Sequence, residues 1–312
     1  MKPRNLILLI FKIIFLLVIF YYLHQNSYIN FQNLVDTVFN NKGMIMLMSL
    51  IGLITILLAN LRWFIILRML KFDFKFWQIF KITYIGIFFN NILLGAYGGD
   101  IARIYYSIDL TNKYKKKITF SIILDRIFGF LGLAIISIFF FFKILSKEFY
   151  LKIISYIFEY QEYLFFIIII FFLLSFLTIK VIRKYFKNNI FNFFDYKKVN
   201  ILNIFYLIII SIAIFILINF MIYLITNFTY RFNISLDVIF FTNSIALFAN
   251  SLPLTPGGIV LREVAYTELL NLLNEYKKNL INLSNVYLIF RIVNFIISLP
   301  GIIFFLLYKK SL

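Results

Sequence analysis

Apolar residues run through this chain in stretches long enough to cross a bilayer, and polar positions gather between them. Nearly uninterrupted apolar runs occupy 6–23, 44–61, 118–142, 163–179, 201–226 and 285–308. At about 1.5 Å of rise per helical residue, runs of this length reach across a hydrocarbon core about 30 Å thick. They predict six transmembrane helices. Two further segments, 76–112 and 236–278, are apolar at both ends and broken in the middle by glycine, so they predict paired or interrupted helices. The first run follows Lys2 and Arg4, and no small-x-small pattern follows Tyr22, which reads as an uncleaved anchor rather than a signal peptide. Residues 148–162, with Glu148, Lys152, Glu159 and Glu162 among aromatics, read as a surface helix.

Lys and Arg gather at the ends of these runs, and their distribution orients the chain. A full crossing by 76–97 would put Lys113, Lys115, Lys116 and Lys117 on the face opposite Arg62, Arg68, Lys71 and Lys75, against the positive-inside tendency. A re-entrant hairpin over 76–112, with its turn at Gly95 to Gly99, removes the conflict. Segment 236–278 then dips in from the outer face, and both termini are cytoplasmic. Placing Lys277 and Lys278 outside is the cost of this scheme. Segments 44–142 and 201–308 become span, hairpin, span in opposite orientations, an inverted-topology repeat within one integral domain, 1–312. The expected fold is therefore an all-α polytopic membrane protein with six full spans plus two re-entrant or broken helical segments. An eight-span pattern, with both segments crossing fully, is the alternative.

Composition narrows the chemistry. With 63% apolar and 14% charged residues, the chain fits neither a soluble globular domain nor a disordered one. The net charge of +18 would suggest nucleic acid in a soluble protein. Here the cations sit at span ends, where topology and anionic headgroups account for them, so no nucleic-acid partner is expected. There is no cysteine and one histidine, His24 at the end of the first run. A zinc site, a thiolate nucleophile or a histidine-dependent triad therefore has too few residues to form, and no metal or other cofactor is expected. No phosphate loop and no Gly-x-Ser-x-Gly elbow occurs.

The two irregular segments carry near-copies of one motif, Asn91-x6-Gly98-Gly99-x3-Arg103 and Asn250-x6-Gly257-Gly258-x3-Arg262. A second echo follows each copy, Arg126-Ile127-x2-Phe130 and Arg291-Ile292-x2-Phe295. The glycine pairs allow positive φ and close approach, and a helix starting after such a break aims free N–H groups at it. Helices expected at about 100–110 and 259–272 would place Arg103 and Arg262 about one turn in, beside a positive dipole end. A guanidinium that binds two oxygens and stays charged in a low dielectric makes phosphate the natural ligand. Asp100, Asp125 and Glu263 lie at membrane depth, where an acid needs a partner or a function. They pair with arginines, for example from one half to the other, serve ligand or proton coupling, or are simply exposed at the interface; Arg126 and Arg291 belong to the same set. Asn91 and Asn250 either satisfy backbone groups at the breaks or contact a headgroup. Pro253 and Pro256 break the second hairpin.

Residues 91–103, Asn-Ile-Leu-Leu-Gly-Ala-Tyr-Gly-Gly-Asp-Ile-Ala-Arg, and 253–263, Pro-Leu-Thr-Pro-Gly-Gly-Ile-Val-Leu-Arg-Glu, resemble the two signatures of the lysylphosphatidylglycerol synthase transmembrane, or flippase-like, family. The resemblance covers about 10 to 308. Gly95-Ala96-Tyr97 stands where the family often has a proline and a basic residue, and Val260 where a further glycine is common. The resemblance implies a multi-pass protein of a bacterial or archaeal cytoplasmic membrane, similar to the flippase half of multiple peptide resistance factors. It implies membrane lipids as partners, anionic phospholipid or lipid-linked phosphate, bound or moved at the paired motifs. No extramembrane stretch reaches the roughly 50 residues a compact domain needs, so the aminoacyltransferase domain of those factors is not expected here, and neither is enzyme activity. A different class of function, a non-transporting accessory subunit for a polyprenyl-phosphate-dependent glycosyltransferase or other envelope-biosynthesis enzyme, is the alternative.

Overall fold

The structure, a computed structural model, describes residues 39–92, 98–111, 114–145, 201–251, 261–273 and 280–308. The runs at 6–23 and 163–179, the 148–162 helix and the Gly257-Gly258 pair lie outside the described residues. Every regular element among the described residues is helical. In order these are α1 (Lys42–Met69), α2 (Phe76–Ile92), α3 (Gly98–Thr111), α4 (Lys115–Ile144), α5 (Ile201–Leu224), a π-turn (Ile225–Thr229), α6 (Leu236–Ser251), α7 (Leu261–Leu272), α8 (Leu280–Ser298) and α9 (Pro300–Leu306).

Four stretches are long and apolar enough to cross a membrane: Lys42–Met69, Lys115–Ile144, Ile201–Thr229 and Asn285–Leu306. They coincide with four of the six runs read from the sequence. Each shows one face of large apolar side chains to the outside, such as Leu50, Ile54, Leu57 and Leu61 on α1 and Ile135, Ile138, Phe139 and Phe142 on α4. In lipid these faces need no cover, so helix association depends on close packing and polar contacts instead.

Both irregular segments fold as two helices packed on each other, α2 on α3 and α6 on α7. Around these pairs, α1 packs on α5, α4 on α5 and α6, and α8 on α1 and α2. The last span is broken at Leu299 because Pro300 cannot continue the helix's hydrogen bonding. The short α9 that follows lies against α2, where a side chain at Gly301 would meet Phe88 and the Tyr84 carbonyl. One apolar core gathers Trp63, Ile66, Ile79, Ile82, Ile118 and Ile122 from α1, α2 and α4. Another gathers Ile222, Ile239, Tyr266, Val286 and Tyr287 from the later helices, with Met48 and Ile51 of α1.

Candidate functional site

The break between α2 and α3 is built around close backbone approach. A Cβ on Gly99 would overlap the carbonyl of Gly86 and the side chain of Asn90, so only glycine lets the two helices meet there. Gly99 lies in the first turn of α3, and its N–H donates to Asn90 Oδ1 at 2.7 Å. That bond satisfies one of the free donors at the helix start. Asn90, rather than the repeated Asn91, is thus the capping residue. Its only sequence signal was the adjacent Asn-Asn pair. Asn91 instead donates through Nδ2 to the Asn294 carbonyl on α8, at 3.3 Å. Gly98 begins α3, and Asn250 lies half-buried near the end of α6.

From this break a chain of alternating charges runs through the first half. Arg62 Nε donates to Asp125 Oδ1 at 2.7 Å, and Arg103 Nη2 donates to Asp125 Oδ2 at 2.9 Å. Arg103 Nη1 reaches Asp100 Oδ1 at 3.4 Å, and Arg126 Nε donates to Asp100 Oδ2 at 2.8 Å. Asp125 and Asp100 are only 5% and 8% exposed. Burial of that degree demands partners, and the bracketing arginines provide them. The Arg103 guanidinium also lies over the Trp63 ring, 4.0 Å from its centroid. The Trp63 indole in turn donates to Ser121 Oγ at 3.1 Å, which fixes the ring between α1 and α4.

Arg62 was missed as a site residue. The sequence placed it with the basic group at the end of a span, but the turn of α1 carries it inward, to 9% exposure. Its Nη1 donates to Ser211 Oγ on α5 at 3.1 Å, so Arg62 is the member of the cluster that reaches the other half. Asp100 and Asp125 themselves pair within the first half, with Arg62, Arg103 and Arg126. Glu263 likewise pairs within the second, where its Oε1 accepts from Arg291 Nε at 3.1 Å and Nη2 at 3.0 Å. The bridge from half to half suggested for these acids is therefore absent among the described residues.

The second motif arginine sits differently. Arg262, in the first turn of α7, is 6% exposed and lies over two rings, 4.4 Å from the Tyr287 centroid and 4.6 Å from that of Phe290. Tyr287 is held by a relay: its hydroxyl donates to Asn243 Oδ1 at 2.7 Å, and Asn243 Nδ2 donates to Asn219 Oδ1 at 2.8 Å. Tyr266 meets Tyr287 edge-on at 5.1 Å and exchanges a hydrogen bond with Thr226 of the π-turn at 3.3 Å.

The first cluster thus joins three arginines to two aspartates; in the second, Arg291 pairs with Glu263 while Arg262 lies over two rings. Each cluster retains one cation in excess. Among the described residues no group of three acids or histidines could hold a metal ion. Fixed guanidinium groups beside two helix starts suit an anion with several oxygens.

A family model described as the lysylphosphatidylglycerol synthase TM region matches residues 7–301. The chain belongs to this family. Neither a curated protein nor a solved structure matches it. As a lysylphosphatidylglycerol synthase TM-region protein with membrane-length helices, it is a multi-pass membrane protein. The matched residues include both motif segments and both charge clusters.

Proposed function

We propose that the chain is a flippase-like transporter, in which a phosphate-bearing lipid headgroup passes between the two halves while the acyl chains stay in the bilayer. The observation that carries this reading is an arginine largely withdrawn from solvent at equivalent places in both halves, Arg103 on α3 and Arg262 on α7, each in a cluster holding one more arginine than acid. A permanent cation at membrane depth needs an anion, and the anion common to membrane lipids is phosphate. Arg262 faces that ligand; Asp100, Asp125 and Glu263 hold the other arginines, Arg103 among them, in place.

The two halves support movement because their contacts correspond. Packing of α2 on α3 has its counterpart in α6 on α7, and packing of α4 on α5 in α8 on α1. Packing of α4 on α6 has its counterpart in α8 and α9 on α2, while α1 on α5 is its own counterpart. Side chains follow the same rule. The interval from Asn60 to Asn219 equals that from Asn91 to Asn250 and from Arg103 to Arg262. Both Asn60 and Asn219 are buried polar links, Asn60 to Thr83 on α2 and Asn219 to Asn243 on α6. Salt bridges Arg126–Asp100 and Arg291–Glu263 join corresponding helices. This is the pattern expected of an inverted repeat, whose halves alternate access by rocking about a shared interface.

The membrane is the cytoplasmic one in this reading, with both termini inside. The test is reconstitution in liposomes with a fluorescent-headgroup phospholipid, following the signal that dithionite can quench. Wild-type protein should expose inner-leaflet lipid faster than an Arg103→Ala, Arg262→Ala double variant inserted to the same level. Transport retained by a folded double variant would sink the reading.

A further inference from the structure

The two motif arginines occupy equivalent places but have unequal surroundings. Arg103 is engaged on three sides, by Asp125 at 2.9 Å, Asp100 at 3.4 Å and the Trp63 ring at 4.0 Å, and only its Nε is buried without a hydrogen-bond partner among the described residues. An anion arriving there would have to displace a carboxylate already bound. Arg262 has no carboxylate in contact, and its buried Nε and Nη2 have no hydrogen-bond partner among the described residues. The neighbouring acid, Glu263, gives Oε1 to Arg291 instead.

One substitution within the repeat accounts for the difference. The residue before the downstream arginine is Asp125 in the first half and Phe290 in the second. Asp125 neutralises Arg103, whereas Phe290 gives Arg262 only a ring face. Ring faces hold a guanidinium in position without using its N–H groups. The groups left over, Nε and Nη2, form the edge of the guanidinium that grips two oxygens at once. Leaving both buried and empty is costly, so the arrangement favours a ligand that fills them. The N–H groups at the start of α7 add donors of the same sign nearby.

We infer that the second half holds the anion site: Arg262 binds a phosphate oxyanion through Nε and Nη2, while Arg103 is a positioning residue locked by Asp100 and Asp125. The source of the phosphate, a lipid headgroup rather than the free ion, rests on the transporter reading above. The Tyr287–Asn243–Asn219 relay then has a role, since it fixes the platform that keeps the guanidinium aimed.

The test is equilibrium binding by the purified full chain in detergent micelles, with a short-chain phosphatidylglycerol and, separately, inorganic phosphate. Arg262→Gln should weaken phosphatidylglycerol binding by about tenfold or more, the scale of charged hydrogen bonds lost. Arg103→Gln should leave it within about threefold, which is under 1 kcal/mol, while lowering the unfolding temperature. Phe290→Asp keeps Arg262 but supplies the carboxylate that Asp125 gives Arg103, so it should weaken binding as Arg262→Gln does. It also carries the test if Arg262→Gln does not fold. Equal loss in Arg103→Gln and Arg262→Gln, wild-type affinity in Phe290→Asp, or no binding of either ligand by the wild type would overturn the assignment. Inorganic phosphate bound as tightly as the lipid, with the same ranking of variants, upholds the Arg262 site and overturns the lipid source. Phosphatidylglycerol bound at Arg262 without movement in the liposome assay upholds the site and overturns transport.

Discussion

Asp125 holds two arginines at once, Arg62 through Oδ1 and Arg103 through Oδ2. Asp125→Ala strands the buried Arg62 guanidinium and leaves Arg103 only its longer contact with Asp100, and the expected loss is about 3–5 kcal/mol, the range for breaking a buried ion pair. Arg126→Ala should cost about 1 kcal/mol or less, because its side chain is 30% exposed and solvent screens the pair it leaves. Unfolding of the two variants in micelles, followed by circular dichroism, checks this order; equal losses would count against Asp125 as the hub. Asp125 and Arg126 were legible as candidates because charges inside an apolar run are conspicuous. Arg62 was not, because a cation near the end of a run looks like any interfacial lysine or arginine. Only the rotation of α1 about its axis decides that it points inward.

The helices of the motif segments are short. α2 and α6 hold 17 and 16 residues, about 25 Å each at about 1.5 Å per residue. α3 and α7 hold 14 and 12, or about 20 Å. Over the described residues each falls short of a hydrocarbon core about 30 Å thick, and in each segment the two helices pack on each other; the sequence reading of these segments as re-entrant is then open to a direct test. In the cysteine-free chain, Lys71→Cys and Lys116→Cys should then be labelled by an impermeant maleimide from the same side of the membrane, and Arg231→Cys from the other. Labelling of Lys71→Cys and Lys116→Cys from opposite sides would establish the crossing alternative. The glycine pair announced the break at the first motif, since few other residues interrupt so apolar a run. The Asn90 cap and the Gly86–Gly99 approach were not legible, because neither has a spacing that local periodicity records.

Across the whole molecule, small residues sit where the halves meet. A Cβ on Gly52 of α1 would run into Ile297 of α8, and one on Gly132 of α4 would lie 2.6 Å from Ser211 Cβ on α5. These two contacts correspond under the repeat, Gly52 with Ser211 and Gly132 with Ile297. Lipid offers no hydrophobic drive between helices, so close contact of this kind is what holds them. Paired cysteines at 132 and 211, or at 52 and 297, should crosslink on oxidation with no native thiol to compete. If the halves rock, either crosslink stops lipid movement in the liposome assay and a reductant restores it. Undiminished movement in a fully crosslinked sample would exclude rocking at this interface.

Apolar run length and charge at the run ends determined from sequence alone that this is a helical membrane protein, and the duplicated Asn, Gly-Gly and Arg spacing determined which residues to watch. These are local or periodic properties, set by helical rise and by the cost of polar groups in hydrocarbon. The tertiary structure decided the partnerships. It assigned Asp125 to Arg62 and Arg103, left Arg262 against two rings, and gave the cap to Asn90. Such choices depend on which helix faces meet, and residues far apart in the chain are brought together only when distinct helices pack.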